Sequence, residues 1–167
     1  MTLSRYEALE RHLAQLNIHY LSYQHVPLAN CDVAKEIGLE RDGTGLKNLF
    51  LRDNYGKRHF LVITRAEKQL DLKTLSKQQD VSRLGFCSSE RLAKYLQVRP
   101  GCVSALATFN DTENHVELWL DSELEDAKQW QCHPFENDKT WVLQLADLKV
   151  FWQRSGHTPH WVSLPVR

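Results

Sequence analysis

The 167-residue chain carries 21 Lys+Arg and 21 Asp+Glu, so its formal net charge is zero and no global field gathers nucleic acid onto it. Hydrophobic residues make up 42% of the sequence, which excludes a disordered chain, and no apolar run is long enough to span a bilayer. The length suits a single domain over residues 1–167, and four scattered cysteines (Cys31, Cys87, Cys102, Cys132) suit reduced thiols in a cytoplasmic protein better than a disulfide framework.

Met-Thr-Leu-Ser-Arg-Tyr-Glu lacks the apolar core of a secretion signal. Ser4-Arg5-Tyr6-Glu7 reads as a capping box, and Tyr6, Leu9, Leu13 and Leu16 recur at helical spacing, so a helix is expected to about Leu16. Residues 19–24 alternate like a strand, broken by His25-Val26-Pro27. Asn30 can cap a short helix through Ile37 with Gly38 as its stop, followed by a polar loop over 39–45. Leu46, Leu49 and Leu51, then the turn residues Asp53-Asn54-Tyr55-Gly56, then the apolar run of residues 60–63, predict a β-hairpin. Lys47 stands at the start of its first strand, where the ammonium either faces a cleft or guards an edge strand against aggregation.

Asp71 is expected to cap a helix opening at Leu72, and Ser88 or Ser89 another whose apolar face is Leu92, Tyr95 and Leu96. Arg99-Pro100-Gly101 predicts a turn, and residues 103–109 and 116–120 are expected to pair as strands around 110–114. Strands over 129–133 and 140–145 flank a turn at 134–139, and a last helix over 146–154 stops at Ser155-Gly156 before a short strand at Trp161-Val162. The irregular mixture predicts a mixed α/β fold without strict alternation.

Charge is uneven. Residues 47–77 hold eight Lys/Arg and three Asp/Glu, a net of +5, and residues 110–147 hold two Lys and ten Asp/Glu, a net of −8. The two segments either present a phosphate-binding face beside a repelling one or are ordinary solvated surfaces.

The chemistry is narrowed by what is absent. There is no Cys-x-x-Cys, and Cys132-His133 and His157-Thr158-Pro159-His160 are poor zinc patterns, so neither metal nor cofactor is expected. Cys102 follows Pro100-Gly101 on a turn and reads as a buried thiol or, with His133 nearby, as a nucleophile. No Gly-x-Ser-x-Gly elbow and no P-loop occur. What remains is catalysis by positioning. Gly101 permits unusual dihedrals, so the backbone N–H groups of residues 101–105 either point into a site or merely lead into a hairpin.

Lys47-Asn48-Leu49-Phe50-Leu51-Arg52-Asp53 resembles the signature of the YbaK/prolyl-tRNA synthetase editing-domain family, and more narrowly its freestanding trans-editing deacylases related to Ala-tRNA(Pro) deacylase. The resemblance continues through Asp71-Leu72-Lys73, Leu84-Gly85-Phe86, Ser89-Glu90-Arg91-Leu92, Pro100-Gly101-Cys102-Val103-Ser104, Asn110-Asp111, His133-Pro134 with Asn137, and Asp147-Leu148, covering about Tyr20 to Val162. It implies a curved, mixed, barrel-like sheet flanked by helices. It also implies metal-independent hydrolysis of a mischarged tRNA(Pro), most of all Ala-tRNA(Pro), with the tRNA acceptor end as partner, a prolyl-tRNA synthetase as a further partner, and neither DNA nor membrane.

The resemblance also implies roles. Lys47 supplies the cation for the terminal phosphate, the Gly101 loop supplies donors, and His133 orients substrate or water or else caps the turn before Pro134. Asn48 bonds substrate or pins its strand, and Tyr20, Tyr23 and His25 begin the segment lining the pocket. Gly101-Cys102-Val103-Ser104-Ala105 aligns with a Gly-x-x-x-Pro element that holds the aminoacyl group, with Ala105 in place of proline. A looser pocket is therefore expected, tolerating serine or 2-aminobutyrate beside alanine, with cysteine as a further alternative. The replacement also leaves open a non-catalytic module that grips tRNA or a synthetase on the same fold.

Overall fold

The computed structural model describes residues 4–27 and 43–167. The expected helix from Asn30 to Ile37 and the loop up to residue 42 lie outside the described residues. Helix α1 (Arg5–Gln15) starts where the sequence indicates. Ser4 Oγ accepts from Glu7 N at 3.1 Å and donates to the Glu7 carboxylate at 3.2 Å. Its apolar stripe buries Leu9 and Leu13.

The chain continues through β1 (Leu21–Gln24), β2 (Leu46–Arg52), β3 (His59–Arg65), α2 (Leu72–Gln78), β4 (Gly85–Phe86), α3 (Ser89–Tyr95) and β5 (Val116–Asp121). It ends with β6 (Gln129–Cys132), β7 (Lys139–Gln144), α4 (Leu145–Ser155) and β8 (His160–Val162). Asp71 and Ser88 cap α2 and α3. α4 ends at Gly156, whose φ of 83° is the left-handed conformation glycine adopts without a Cβ penalty.

Two sheets result. One has the order β1-β7-β6 and is antiparallel throughout. The other has the order β4-β2-β3-β5-β8, with the expected β2–β3 hairpin and with β5 parallel to both β3 and β8. The hairpin closes on Asp53, whose Oδ1 accepts from the amides of Lys57 and Arg58 at 2.8 and 3.0 Å. Burial works against ionisation of Asp53, but these bonds and the Arg58 charge hold its pKa below the usual carboxylate value. The fold is mixed α/β with helices flanking the sheets, as expected. Among the described residues the sheets stay open and are joined by a parallel bridge, Thr44↔Trp130, instead of closing into a barrel.

Leu46, Phe50, Leu61, Ile63, Leu118 and Leu120 on one face of the larger sheet share a core with Trp130, Trp141, Leu143 and the helix residues Leu13, Phe151 and Trp152. The alternate residues Leu51, Phe60, Val62 and Trp119 form a second core with Leu75 of α2. β3 is therefore buried on both faces, which explains its unbroken apolar run.

One expected strand is absent. Residues 103–109 form an irregular segment ending in a 3-10 helix, Ala107–Asn110. Ser104 explains this locally, because its Oγ accepts from Leu106 N at 3.1 Å and its carbonyl from Ala107 N at 3.0 Å. β5, the intended partner, already has both edges filled by β3 and β8. β4 was not anticipated, being too short for an alternating pattern to register.

The charged segments resolve into something neither sequence alternative described. The parallel β3–β5 pairing lays basic against acidic residues. Arg58 meets Glu117 at 2.9 Å, Lys68 meets Asp121 at 2.7 Å and Glu123 at 3.3 Å, and Arg65 meets Glu123 at 3.7 Å.

Asp111 knots the far end of the fold. Its buried carboxylate accepts from the amides of His115 and Val116 at 3.0 and 2.8 Å and bonds His157 Nε2 at 2.8 Å, while His157 Nδ1 meets Ser155 Oγ at 2.8 Å. Burial raises its pKa, but these bonds outweigh burial and leave it below the usual value. Asp111→Asn is expected to cost about 2–3 kcal/mol at pH 7 by leaving buried groups ill-matched. A depressed folded pKa means the contribution is complete above the unfolded value of about 3.9 and fades as pH falls through the lower folded one. Denaturant melts of both proteins should therefore show a gap at pH 7 that narrows by pH 3; an equal gap at both would contradict this account.

Candidate active site

Side chains alternate across a strand, so the residues of β2 divide between two faces. Leu46, Asn48 and Phe50 turn toward the main core, and Lys47, Leu49 and Leu51 turn away from it. Lys47 pairs with Thr64 on β3, and the β3–β5 register places Asp121 next in the same row. This row is bonded. Asp121, fully buried, accepts from Thr64 Oγ1 at 2.6 Å, Lys68 Nζ at 2.7 Å and Glu123 N at 3.0 Å. The Lys47 ammonium in turn donates to the carbonyl of Lys68. Burial pulls the Lys68 pKa down, but Asp121 and Glu123 outweigh it and hold the pKa above the ordinary lysine value. Lys47 thus sits over a fixed charge network. None of Thr64, Lys68 and Asp121 was singled out in the sequence; the available signal was a carboxylate closing the apolar run of residues 116–120.

The Gly101 loop meets the His133 turn. Gly101 has a φ of 83°, and a Cβ there would lie 3.8 Å from the Asn137 amide nitrogen. Arg99 and Glu136 pair at 2.7 Å across the same junction. Ser104, buried, donates from Oγ to the His133 carbonyl at 2.6 Å. That carbonyl also accepts from Phe135 N at 2.9 Å, in a turn tight enough to hold Phe135 at a φ of 69°. A bulky residue in the left-handed region costs on the order of 1 kcal/mol or more, and here it fixes the His133 backbone. His133 Nδ1 donates to the Lys139 carbonyl at 3.1 Å, which places a proton on Nδ1 and fixes the ring's orientation.

β1 brings the third group. Tyr23 pairs with Thr140, and His25 donates from Nδ1 to its neighbouring Val26 carbonyl at 2.8 Å while Nε2 accepts from Thr140 Oγ1 at 2.8 Å. Tyr23, His25, Thr140 and His133 therefore gather at one end of the smaller sheet. The parallel bridge Thr44↔Trp130 relates this end to Lys47. Lys47 and His133 each lie three residues beyond the bridge, on adjoining chain segments. Both positions alternate with core-facing residues, so they share the face turned away from the main core.

Other sequence candidates lie elsewhere. Tyr20 stacks on Trp141 at 4.1 Å against the main core, and burial raises its phenol pKa. Val103 packs on that core from the loop, and Ala105 is fully buried in it, its carbonyl accepting from Trp152 Nε1 at 3.0 Å. Asn48 points to the core side, where its Oδ1 is buried with no hydrogen-bond partner among the described residues. Cys102 is buried, and burial raises its pKa despite Arg99, so its thiolate is scarce at neutral pH. Cys87 is pushed up by burial to about 11, and Cys132 is raised as well. Among the described residues no group of three or more His, Cys, Asp or Glu could hold a metal ion, and no helix is long and apolar enough to cross a membrane.

Comparison with known proteins bears directly on this arrangement. The chain is 34% identical to the prolyl-tRNA editing protein ProX of Acetoanaerobium sticklandii over 158 residues, covering 95% of this chain and 96% of that one. It is 35% identical to prolyl-tRNA synthetase associated domain-containing protein 1 of Danio rerio over 153 residues, covering 90% and 83%. Its fold is similar to the crystal structure of a candidate trans-editing enzyme for prolyl tRNA synthetase, with a TM-score of 0.68 at 15% identity over 99% of this chain and 100% of that one. It is equally similar to a hypothetical protein with a TM-score of 0.68 at 14% identity over 93% and 99%. The family model for the aminoacyl-tRNA editing domain matches residues 25–151, a span that includes the Lys47 row, the Gly101 loop and the His133 turn; the chain belongs to the aminoacyl-tRNA editing domain family.

Proposed function

We propose that this protein is a trans-editing hydrolase that deacylates mischarged tRNA(Pro), with Ala-tRNA(Pro) as its preferred substrate. The observation that carries the reading is the placement of Lys47 and His133 on one face beyond the Thr44↔Trp130 bridge, in a chain whose relative is a prolyl-tRNA editing protein. The substrate is an ester on a terminal ribose. Lys47, steadied by the Lys68 carbonyl, takes the neighbouring phosphate. Amide donors of Gly101, Val103 and Ser104 take the negative charge that develops on the carbonyl oxygen, the Cys102 amide being bonded to the Arg99 carbonyl, and the His133 ring orients the attacking water or the amino group. Water adds to the carbonyl carbon, the bond to the ribose oxygen breaks, and that oxygen keeps the proton relayed through the vicinal hydroxyl. The free amino acid and intact tRNA leave. No strong base from the protein is required, which agrees with the shortage of thiolate. The partner is the acceptor end of tRNA, and the setting is the cytoplasm, where thiols stay reduced.

A second site of this kind is useful because a proline pocket discriminates poorly against smaller residues, a methylene being worth only about 10–200-fold. Here the loop is braced without proline. Ser104 binds the His133 carbonyl and Leu106 N, and Trp152 binds the Ala105 carbonyl. That bracing supports a working catalytic loop over a merely binding one.

Lys47→Ala is expected to stay folded and to lose deacylation by about 10²-fold or more, the scale for removing a positioned charge. Single-turnover hydrolysis of Ala-tRNA(Pro) with circular dichroism on the same sample measures both, and a folded variant of near-normal rate would sink the assignment.

Across Ala-, Ser-, 2-aminobutyryl-, Cys- and Pro-tRNA(Pro), alanine should be released fastest, serine and 2-aminobutyrate more slowly, and proline spared. Trp152→Phe, which deletes the donor to Ala105, should shrink the alanine-to-serine ratio severalfold. Cysteine released fastest, or proline as fast as alanine, would refute the specificity.

A further inference from the structure

On the outer face of β2 a cavity of about 300 Å³ opens between Lys47, Leu49, Leu70, Leu72, Phe86 and Arg167. The floor is aliphatic, with Leu70 buried and Leu49 and Leu72 packed on the second core. At one side stands Phe86, a large aromatic left 65% exposed. β4 pairs Phe86 with Leu51, so the ring lies on the same face as Lys47 and Leu49. At the other side are two cations. Lys47 is tethered to the Lys68 carbonyl, and Arg167 is tethered by its amide to Gln69 O at 3.0 Å and by Nε to Leu70 O at 3.4 Å. Among the described residues neither cation has a carboxylate within 4 Å. Asp71 feels the Arg167 charge, but its carboxylate is occupied in capping α2, accepting from Thr74 N at 3.1 Å and from Thr74 Oγ1 at 2.7 Å.

An exposed aromatic face, an apolar floor and two tethered cations that no carboxylate among the described residues meets within 4 Å match one kind of ligand: a flat apolar ring attached to a phosphate. We infer that this cleft is a nucleotide subsite for the single-stranded 3′ end of the RNA, with a base stacked on Phe86 and the adjoining phosphate held between Lys47 and Arg167. The inference rests on the deacylase reading for the identity of the RNA, and it extends that reading from one cation to a built subsite. Stacking on an aromatic face is how proteins hold unpaired bases, and it tolerates any base. The guanidinium adds a second fixed charge to the phosphate.

The test is a fluorescence-anisotropy titration of an uncharged proline minihelix ending in its single-stranded 3′ tail, run on the full chain with adenosine monophosphate as competitor. Phe86→Ala should weaken RNA binding about tenfold, on the scale of one lost base stack, and Phe86→Trp should restore it. Arg167→Gln should weaken binding and lower the slope of log affinity against log salt by about 0.7, the value of one single-strand phosphate. In deacylation both losses should raise KM more than they lower kcat. Adenosine monophosphate should compete with the RNA at higher concentration. Both variants binding the minihelix like the native chain would overturn the subsite, and so would adenosine monophosphate that binds without competing. Single-turnover hydrolysis of Ala-tRNA(Pro) by the native chain separates the two proposals. If the native chain releases no alanine, the deacylase reading fails, while the anisotropy results on Phe86 and Arg167 still decide the nucleotide subsite.

Discussion

The candidate site depends on one buried carboxylate. Asp121 ends β5 with no solvent contact and satisfies its charge through the Thr64 hydroxyl, the Lys68 ammonium and the Glu123 amide. A buried charge is tolerable when it is paired and hydrogen-bonded, and strongly destabilising when it is not. The arrangement therefore holds the 65–68 turn against the end of the sheet. The Lys68 carbonyl, which positions the Lys47 ammonium, is part of that turn. The lysine that opens the Lys47–Asp53 motif is thus set by a cross-strand row, Lys47–Thr64–Asp121, closed over by Lys68.

The opposite wall is positioned by a different kind of constraint. The Gly101 loop and the His133 turn have little regular structure, yet Ser104 Oγ on the His133 carbonyl, Arg99 on Glu136 and Trp152 Nε1 on the Ala105 carbonyl tie them to each other and to the core. Ser104 is the pivot, because its single hydroxyl serves both the loop and the turn. Trp152 reaches the same loop from α4, a helix whose other buried residues fill the main core. Packing of the core and placement of the loop are in this way one event.

Charge has a structural role as well. The acidic stretch lies beside the basic stretch and pairs three of its eight cations, Arg58, Arg65 and Lys68, along the β3–β5 edge. Exposed pairs such as Arg58–Glu117 contribute little stability, about 0–1 kcal/mol. They occupy Arg58, Arg65 and Lys68, and Lys47 and Arg167 are among the cations that have no such pair in the described residues. On the proposed reading, recognition rests on a few placed charges and not on a net field, as suits a neutral chain.

Much of this was determined by the sequence alone, and the part that was not has a physical reason. Caps and turns are local, so Ser4, Asp71, Ser88, the Asp53 turn and the Gly156 stop were legible from a few residues each. The ordered motifs around Lys47, Gly101 and His133 carried the family, because each motif is contiguous in the chain. Residues 103–109 misled, since their apolar pattern fits a strand, and only the occupied edges of β5 and the Ser104 bonds rule one out. Asp121, Lys68 and Trp152 could not be found by pattern. Their importance lies in partners 47 to 57 residues away, Trp152 with Ala105 and Asp121 with Thr64 and Lys68. The shared face of Lys47 and His133 likewise depends on the Thr44↔Trp130 bridge, a long-range pairing that tertiary structure alone decides.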